Sequence, residues 1–294
     1  MKKIYLLALG VITIALGCEP GKTATSNKDT AIVITGDSVV STLPADSIPS
    51  EIYVAAVRSK MDSLHKILPS LTPQQAVLAY TTFKTFMDSV VLHLSVNEAW
   101  WTDHYLNTYS EEANDYRPGG DTLKRVKLLA TAGIEPQYIG EGYTELTTEP
   151  YLYHKLFGPY LPADYKSYVE INAHEDTTLF SADAGIIIPW PEVGMRVHQW
   201  EVFVNTYPSS PLFRDAKAKY DNYLVEFLLG EDNTRTIEDG EMVPEIKAAF
   251  EAYAAQYPDT RSGAIVADFL KKSASEKDHD KLVEWVIKRT DEKK

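Results

Sequence analysis

From Trp200 to Pro211 the chain reads WEVFVNTYPSSP, and from Phe250 to Arg261 it reads FEAYAAQYPDTR. Aromatics, a Tyr-Pro pair and a small hydroxyl residue coincide at an offset of 50, which marks an internal repeat. In each copy the aromatics stand three or four apart: Trp200, Phe203 and Tyr207, then Phe250, Tyr253 and Tyr257. That spacing puts them on one helical face, and the proline ends the helix. Ser210 and Thr260 follow as N-cap residues of a second helix. Each such helix-turn-helix unit is too small to bury its apolar face without a neighbour, so the pattern predicts stacked helical hairpins.

Downstream of the first copy, Phe213, Ala216, Tyr220, Leu224 and Phe227 form the stripe of a second helix that ends at Gly230. Residues 231–243 are polar and charged, a long loop that stretches the repeat. The second unit runs from Pro244 to Leu270, and Ser275-Glu276-Lys277-Asp278 is read as the cap of a last helix. Upstream, Ile52 to Leu68 has the periodicity of a first helix. Thr72-Pro73-Gln74-Gln75 is a capping box opening a second, and Ser95-Val96-Asn97-Glu98 is read as another box opening a third. Asp121 caps a fourth. The stretch from Ile134 to Pro150, with Pro136, Gly140 and Gly142 among threonines and tyrosines, reads as loop or short strands. The expectation is an all-α fold, an irregular α-solenoid of helical hairpins with a short non-helical insert in the middle. Its parts are an N-terminal helical region (50–133), a mixed connecting region (134–190) and C-terminal repeats (191–294).

Tyr207-Pro208-Ser209-Ser210 and Tyr257-Pro258-Asp259-Thr260, with Ala216 and Ala264 downstream, resemble the tetratricopeptide-like units of outer-membrane lipoproteins. The match covers about a quarter of the chain. Its 50-residue spacing departs from the regular 34-residue period. The resemblance implies a protein-binding module.

The N-terminus gives an address. Lys2 and Lys3 precede an apolar run of 13 residues, Ile4 to Leu16, too short to span a bilayer and fitting the core of a signal peptide. Ala15-Leu16-Gly17-Cys18 resembles the lipobox of bacterial lipoproteins, although Ala15 and Leu16 invert the usual order of a leucine followed by a small residue. The resemblance implies that residues 1–17 are removed, that Cys18 is lipidated and anchors the chain to a membrane, that Glu19 in place of aspartate favours the outer membrane, and that the lack of an acidic run in Glu19-Pro20-Gly21-Lys22 favours its periplasmic face. Ala15-x-Gly17 also satisfies a conventional signal peptidase, which would release a soluble protein. Cys18 is the only cysteine, so no intramolecular disulfide can form. Residues 18–49 read as a flexible tether of ~30 residues, with a reach of ~30 Å. Within it, Ile32 to Thr35 and Ser38 to Val40 flank Gly36-Asp37, the signal of a two-residue hairpin turn.

The whole chain carries 29 basic and 42 acidic side chains, a net charge of −13. Such a surface repels phosphate backbones, which excludes nucleic acid and disfavours anionic lipid headgroups. The expected partners are the membrane, through Cys18, and another envelope protein.

Seven histidines are scattered, and none sits in a metal, nucleotide or nucleophile motif, so no cofactor is expected. The best local cluster is Glu98, Trp101 and His104, with Trp100 and Asp103 beside them. A carboxylate near indoles can act as an acid with a raised pKa, and indoles can stack on sugars, although Glu98 in a capping box and a core tryptophan account for the same residues. Glu141 and Tyr143 alternate with Glu145 in the non-helical stretch, and with Asp183 they are candidates to line a pocket between the helical halves. The acidic residues of 231–239 lack calcium-loop spacing and read as a solvated loop. The reading is a non-enzymatic protein-binding or scaffolding module, with capture of a sugar or peptide as the alternative and a hydrolase as the third.

Overall fold

The computed structural model describes residues 30–34, 40–44 and 48–291, and the expectations for Cys18, the signal peptide and most of the tether lie outside them. Among the described residues the fold is mostly helical, with ten α-helices and five two-stranded antiparallel sheets. In chain order these are β1 (Thr30–Ile34), β2 (Val40–Pro44), α1 (Ser50–Ile67), α2 (Pro73–Thr102), β3 (Tyr109–Ser110), β4 (Asp115–Tyr116), α3 (Gly120–Ala130), β5 (Ile134–Gly140), β6 (Tyr143–Thr148), α4 (Leu152–Phe157) and α5 (Ala163–Glu175). The second half holds β7 (Ser181–Ala182), β8 (Gly185–Ile186), α6 (Trp190–Thr206), α7 (Phe213–Leu229), β9 (Ile237–Glu238), β10 (Glu241–Met242), α8 (Pro244–Gln256), α9 (Arg261–Ser275) and α10 (His279–Asp291).

The strands pair only with their sequence neighbours, so each sheet is an isolated hairpin placed ahead of a helix or helix pair. Their turns use left-handed backbone. Asp183 and Ala184 both have positive φ, as do Asp239 and Gly240, which suits two-residue turns whose twist matches the strands. β1 pairs Ile34 with Val40, one residue out of the register that a Gly36-Asp37 turn would impose.

Apolar side chains collect in two cores. The first runs from Val54 to Val169 and packs α1–α5 around Phe83, Met87, Leu94, Trp101 and Phe157. The second runs from Ile171 to Val286 and packs α6–α10 around Trp200, Phe203, Phe227, Phe250 and Phe269. The change of core falls within α5, and Leu212 packs against both. Ser210 Oγ adds a bridge by donating to Asp164 Oδ2 at 2.7 Å.

The repeated aromatics behave as their spacing predicts. Trp200, Phe203, Phe250 and Tyr253 are buried, while Tyr207 and Tyr257 are half-buried where each helix ends. The second helices differ. Thr260 caps α9 by accepting from Gly263 N at 3.0 Å, whereas Ser210 does not cap α7, which starts at Phe213. A Cβ on Gly263 would meet the Tyr257 carbonyl oxygen at 1.9 Å, so a glycine here lets α9 begin directly behind its threonine. Ala264, counterpart of the buried Ala216 in the resemblance, is exposed; burial instead aligns Ala216 and Tyr220 with Ile265 and Phe269. Elsewhere the Thr72 capping box forms as read. Asp121 pairs with Lys124 instead of capping α3, and Asp278, not Ser275, receives the first N–H groups of α10.

Gly263→Ala must push Tyr257 and the Tyr-Pro turn away from α9. It is expected to lower the unfolding free energy by roughly 1–3 kcal/mol in chemical denaturation, despite alanine's better helix propensity.

Candidate functional site

The expected break at Ser95 does not occur. No glycine or proline interrupts residues 74–102, and the buried positions Val90, Leu94, Glu98 and Trp101 continue one helical face, so α2 runs unbroken for 30 residues. Ser95 Oγ donates to the Val91 carbonyl at 2.9 Å, the bond of a serine inside a helix. Glu98 is therefore free of any capping duty. It is buried at 1% exposure among the side chains that join α1, α2 and α3.

Its carboxylate is filled from several sides. Trp101 Nε1 donates at 2.5 Å and Arg125 Nε at 2.9 Å to Oε2, and Arg125 Nη2 donates to Oε1. Arg125 also pairs with Glu51 on α1. Burial alone would push the Glu98 carboxyl up, but hydrogen bonds from Arg125, Ser50 and Trp101 together hold it below the usual range. The bonds to Glu98 and Glu51 in turn raise Arg125 against its burial. This state is opposite to the raised-pKa acid that the sequence pattern allowed. Trp101 is buried at 2% while Trp100 is 57% exposed, so the two indoles cannot form one stacking platform. His104 is exposed beyond the end of α2.

The remaining sequence candidates sit at hairpin tips. Glu141, Tyr143 and Asp183 are exposed. The tip of β5–β6 does meet the β7–β8 turn, since a Cβ on Gly140 would lie 2.8 Å from Asp183 Oδ1. Glu141 and Asp183 both sit in positive-φ turns, a conformation that aspartate tolerates and glutamate does not favour. No side chain of either tip shares the Glu98 network.

Three buried charges were not singled out from sequence. Glu175 accepts from Trp200 Nε1 at 2.5 Å and Lys219 Nζ at 3.0 Å, repeating in the second core the indole-carboxylate-cation arrangement of the first. Arg196, 3% exposed, donates to the carbonyls of Glu175 and Thr178 and to Tyr223, and stands over the Phe180 and Tyr223 rings. Glu201, 3% exposed, reaches from α6 to the N-terminus of α9 and accepts from Arg261 N at 2.7 Å, Ser262 N at 3.2 Å and Ser262 Oγ. A carboxylate there also offsets the positive end of the helix dipole. A signal existed: Arg196 and Glu201 interrupt the apolar stripe Val193, Val197, Trp200, Val204.

Among the described residues no group of three His, Cys, Asp or Glu side chains is placed to hold a metal ion, and no helix is long and apolar enough to cross a membrane. Two open grooves stand out. One, of about 540 Å³, lies beside Glu98 between Ile48, Pro49, Val96 and Trp100. The other, of about 740 Å³, lies between the start of α6 and α8. No protein-family model, curated protein or solved structure matches the chain.

Two titrations test these assignments. Arg125→Met leaves a buried carboxylate unpaired and is expected to cost about 3–5 kcal/mol at pH 7. The deficit should shrink towards pH 4, where Glu98 can protonate, as read from denaturation curves at both pH values. Near the end of α7, burial and the neighbouring Glu231 push the Glu226 carboxyl up to about 7. The folded chain then holds a proton that the unfolded chain releases near pH 4.5, so this group's effect on stability worsens as pH rises from about 4.5 through 7. Glu226→Gln should raise stability by roughly 1–3 kcal/mol at pH 8 and leave it unchanged at pH 4.

Proposed function

We propose that the chain is a lipid-anchored envelope protein that serves as a non-enzymatic protein-binding or scaffolding module. In this reading Cys18 carries the lipid, the tether sets the body off the outer membrane on its periplasmic side, and the helical pairs form an irregular tetratricopeptide-like solenoid.

The observation that carries the binding role is on α2. Leu92, Val96 and Trp100 recur every fourth residue and are 67%, 64% and 57% exposed, so the C-terminal half of the helix presents an apolar stripe to solvent. Single exposed apolar residues are ordinary, but an aligned row ending in an exposed tryptophan has the composition of a contact surface. The polar groups beneath it support the same reading. Glu98 is committed to Trp101 and Arg125, and the second core's charges are committed likewise, which leaves surface contact as the activity that these faces favour.

A photo-crosslinking residue placed at Val96 in the native host, with Lys124 on α3 as an exposed polar control, tests the reading. A discrete crosslinked protein from position 96, absent from position 124 and lost with Trp100→Glu, is expected. The adduct should also fall when Cys18→Ser releases the chain from the membrane. Identical patterns from both positions would contradict the binding role.

A further inference from the structure

The groove of about 740 Å³ is built by the repeat itself. One wall is the segment from β8 into α6, where Ile186 and Ile188 are buried and Pro189, Trp190 and Pro191 hold the turn. Trp190 Nε1 donates to the Phe227 carbonyl at 3.2 Å, which fixes the indole in place. The opposite wall is α8, whose groove side carries Ala248, Ala249 and Ala252 above the buried Ile246. Small side chains on this helix leave the space open. The end of the groove is pinned by hydrogen bonds: Asn233 N to the Ala184 carbonyl at 2.9 Å, Ile186 N to Thr234 Oγ1 at 2.8 Å, and Val243 N to the Thr236 carbonyl at 3.0 Å. A cleft held this way costs little to order on binding.

The charged side chains that line it are Glu238, Glu245 and Arg235, and the loop behind them is acidic. Residues 231–245 contain Glu231, Asp232, Glu238, Asp239, Glu241 and Glu245 against the single cation Arg235, a net of −5. Arg235 is paired with Asp232 at 3.3 Å, and Glu241 with Lys277 at 3.1 Å. Glu238 and Glu245, which line the groove, have no ion-pair partner among the described residues. With Arg235 engaged by Asp232, apolar walls beside unpaired carboxylates select for an apolar side chain with cations beside it, and repel acidic segments.

We propose that this groove binds a segment of a protein partner in which an apolar side chain is flanked by lysines or arginines. The proposal rests on the protein-binding reading above and gives it a partner chemistry and a second surface, separate from the stripe on α2.

The test is fluorescence anisotropy of the full-length chain with three labelled probes: Lys-Lys-Ala-Leu-Phe-Lys-Lys, its acidic counterpart with glutamates for lysines, and a cationic peptide with a Gly-Ser-Gly centre. The first probe should bind at least about tenfold more tightly than either other, and more weakly at high salt. Ala252 is exposed on α8, so Ala252→Trp fills the groove without entering the core, and it should abolish this binding. Glu245→Lys should weaken the first probe at least about tenfold, whereas Val96→Glu on α2 should leave it unchanged. Equal binding of both cationic probes, or binding that survives Ala252→Trp, would assign the attraction to general charge and overturn the proposal. A change of oligomeric state with Ala252→Trp and no peptide binding would assign the groove to a second copy, and overturns it too. Loss of the groove result with the Val96 crosslink intact defeats this inference alone; loss of the crosslink with peptide binding intact defeats the stripe on α2 instead.

Discussion

Among the described residues, the fully buried carboxylates are ones that receive hydrogen bonds from neighbouring elements. Glu98, Glu175 and Glu201 are those carboxylates, and each joins elements far apart in sequence. Glu98 with Arg125 and Glu51 ties α1, α2 and α3. Glu175 with Trp200 and Lys219 ties the end of α5 to α6 and α7, and Glu201 fixes α6 to the first turn of α9. Removing one partner of such a pair costs far more than the pair contributes over an apolar substitute, because the remaining charge is left in a medium that cannot solvate it. These clamps tie helices distant in sequence to one another, while the aromatic cores supply most of the favourable burial.

The helical character and the buried aromatic stripes of α6 and α8 were legible because they rest on local rules. The three-and-four spacing of aromatics, the Tyr-Pro stops, and the caps at Thr72 and Thr260 act within one or two turns of chain. What was misread depends on partners distant in sequence. Ser95-Val96-Asn97-Glu98 has the composition of a capping box, but it lies in an uninterrupted helix, and Glu98 finds its donors on Trp101 and on Arg125, 27 residues away. Ser210 looked like Thr260, yet it turns to Asp164, and its helix lacks the glycine that lets α9 start early. Three strand pairs, β3–β4, β7–β8 and β9–β10, escaped notice for another reason: with two residues in each strand, alternation has too little length to register.

The candidate site residues divide along the same line. Glu98 and Trp101 were singled out for their chemistry, and that chemistry is used internally. Glu141, Tyr143, Asp183 and His104 are solvent-facing. The surfaces that the proposed binding role uses are an apolar stripe on a long helix and a groove with alanines on one wall and carboxylates beside them. The proposed binding role calls for a stiff frame, and the buried clamps provide one.

The sharpest measurement is the ionisation of the Glu98 side chain, followed by carbon NMR of the labelled carboxyl across a pH titration. If Glu98 is a structural clamp, it titrates below the ordinary glutamate range, because against the penalty of burial the bonds from Arg125, Ser50 and Trp101 favour the charged form. A titration above the ordinary glutamate range would show that burial wins, as a general acid requires, and would contradict the account at its centre.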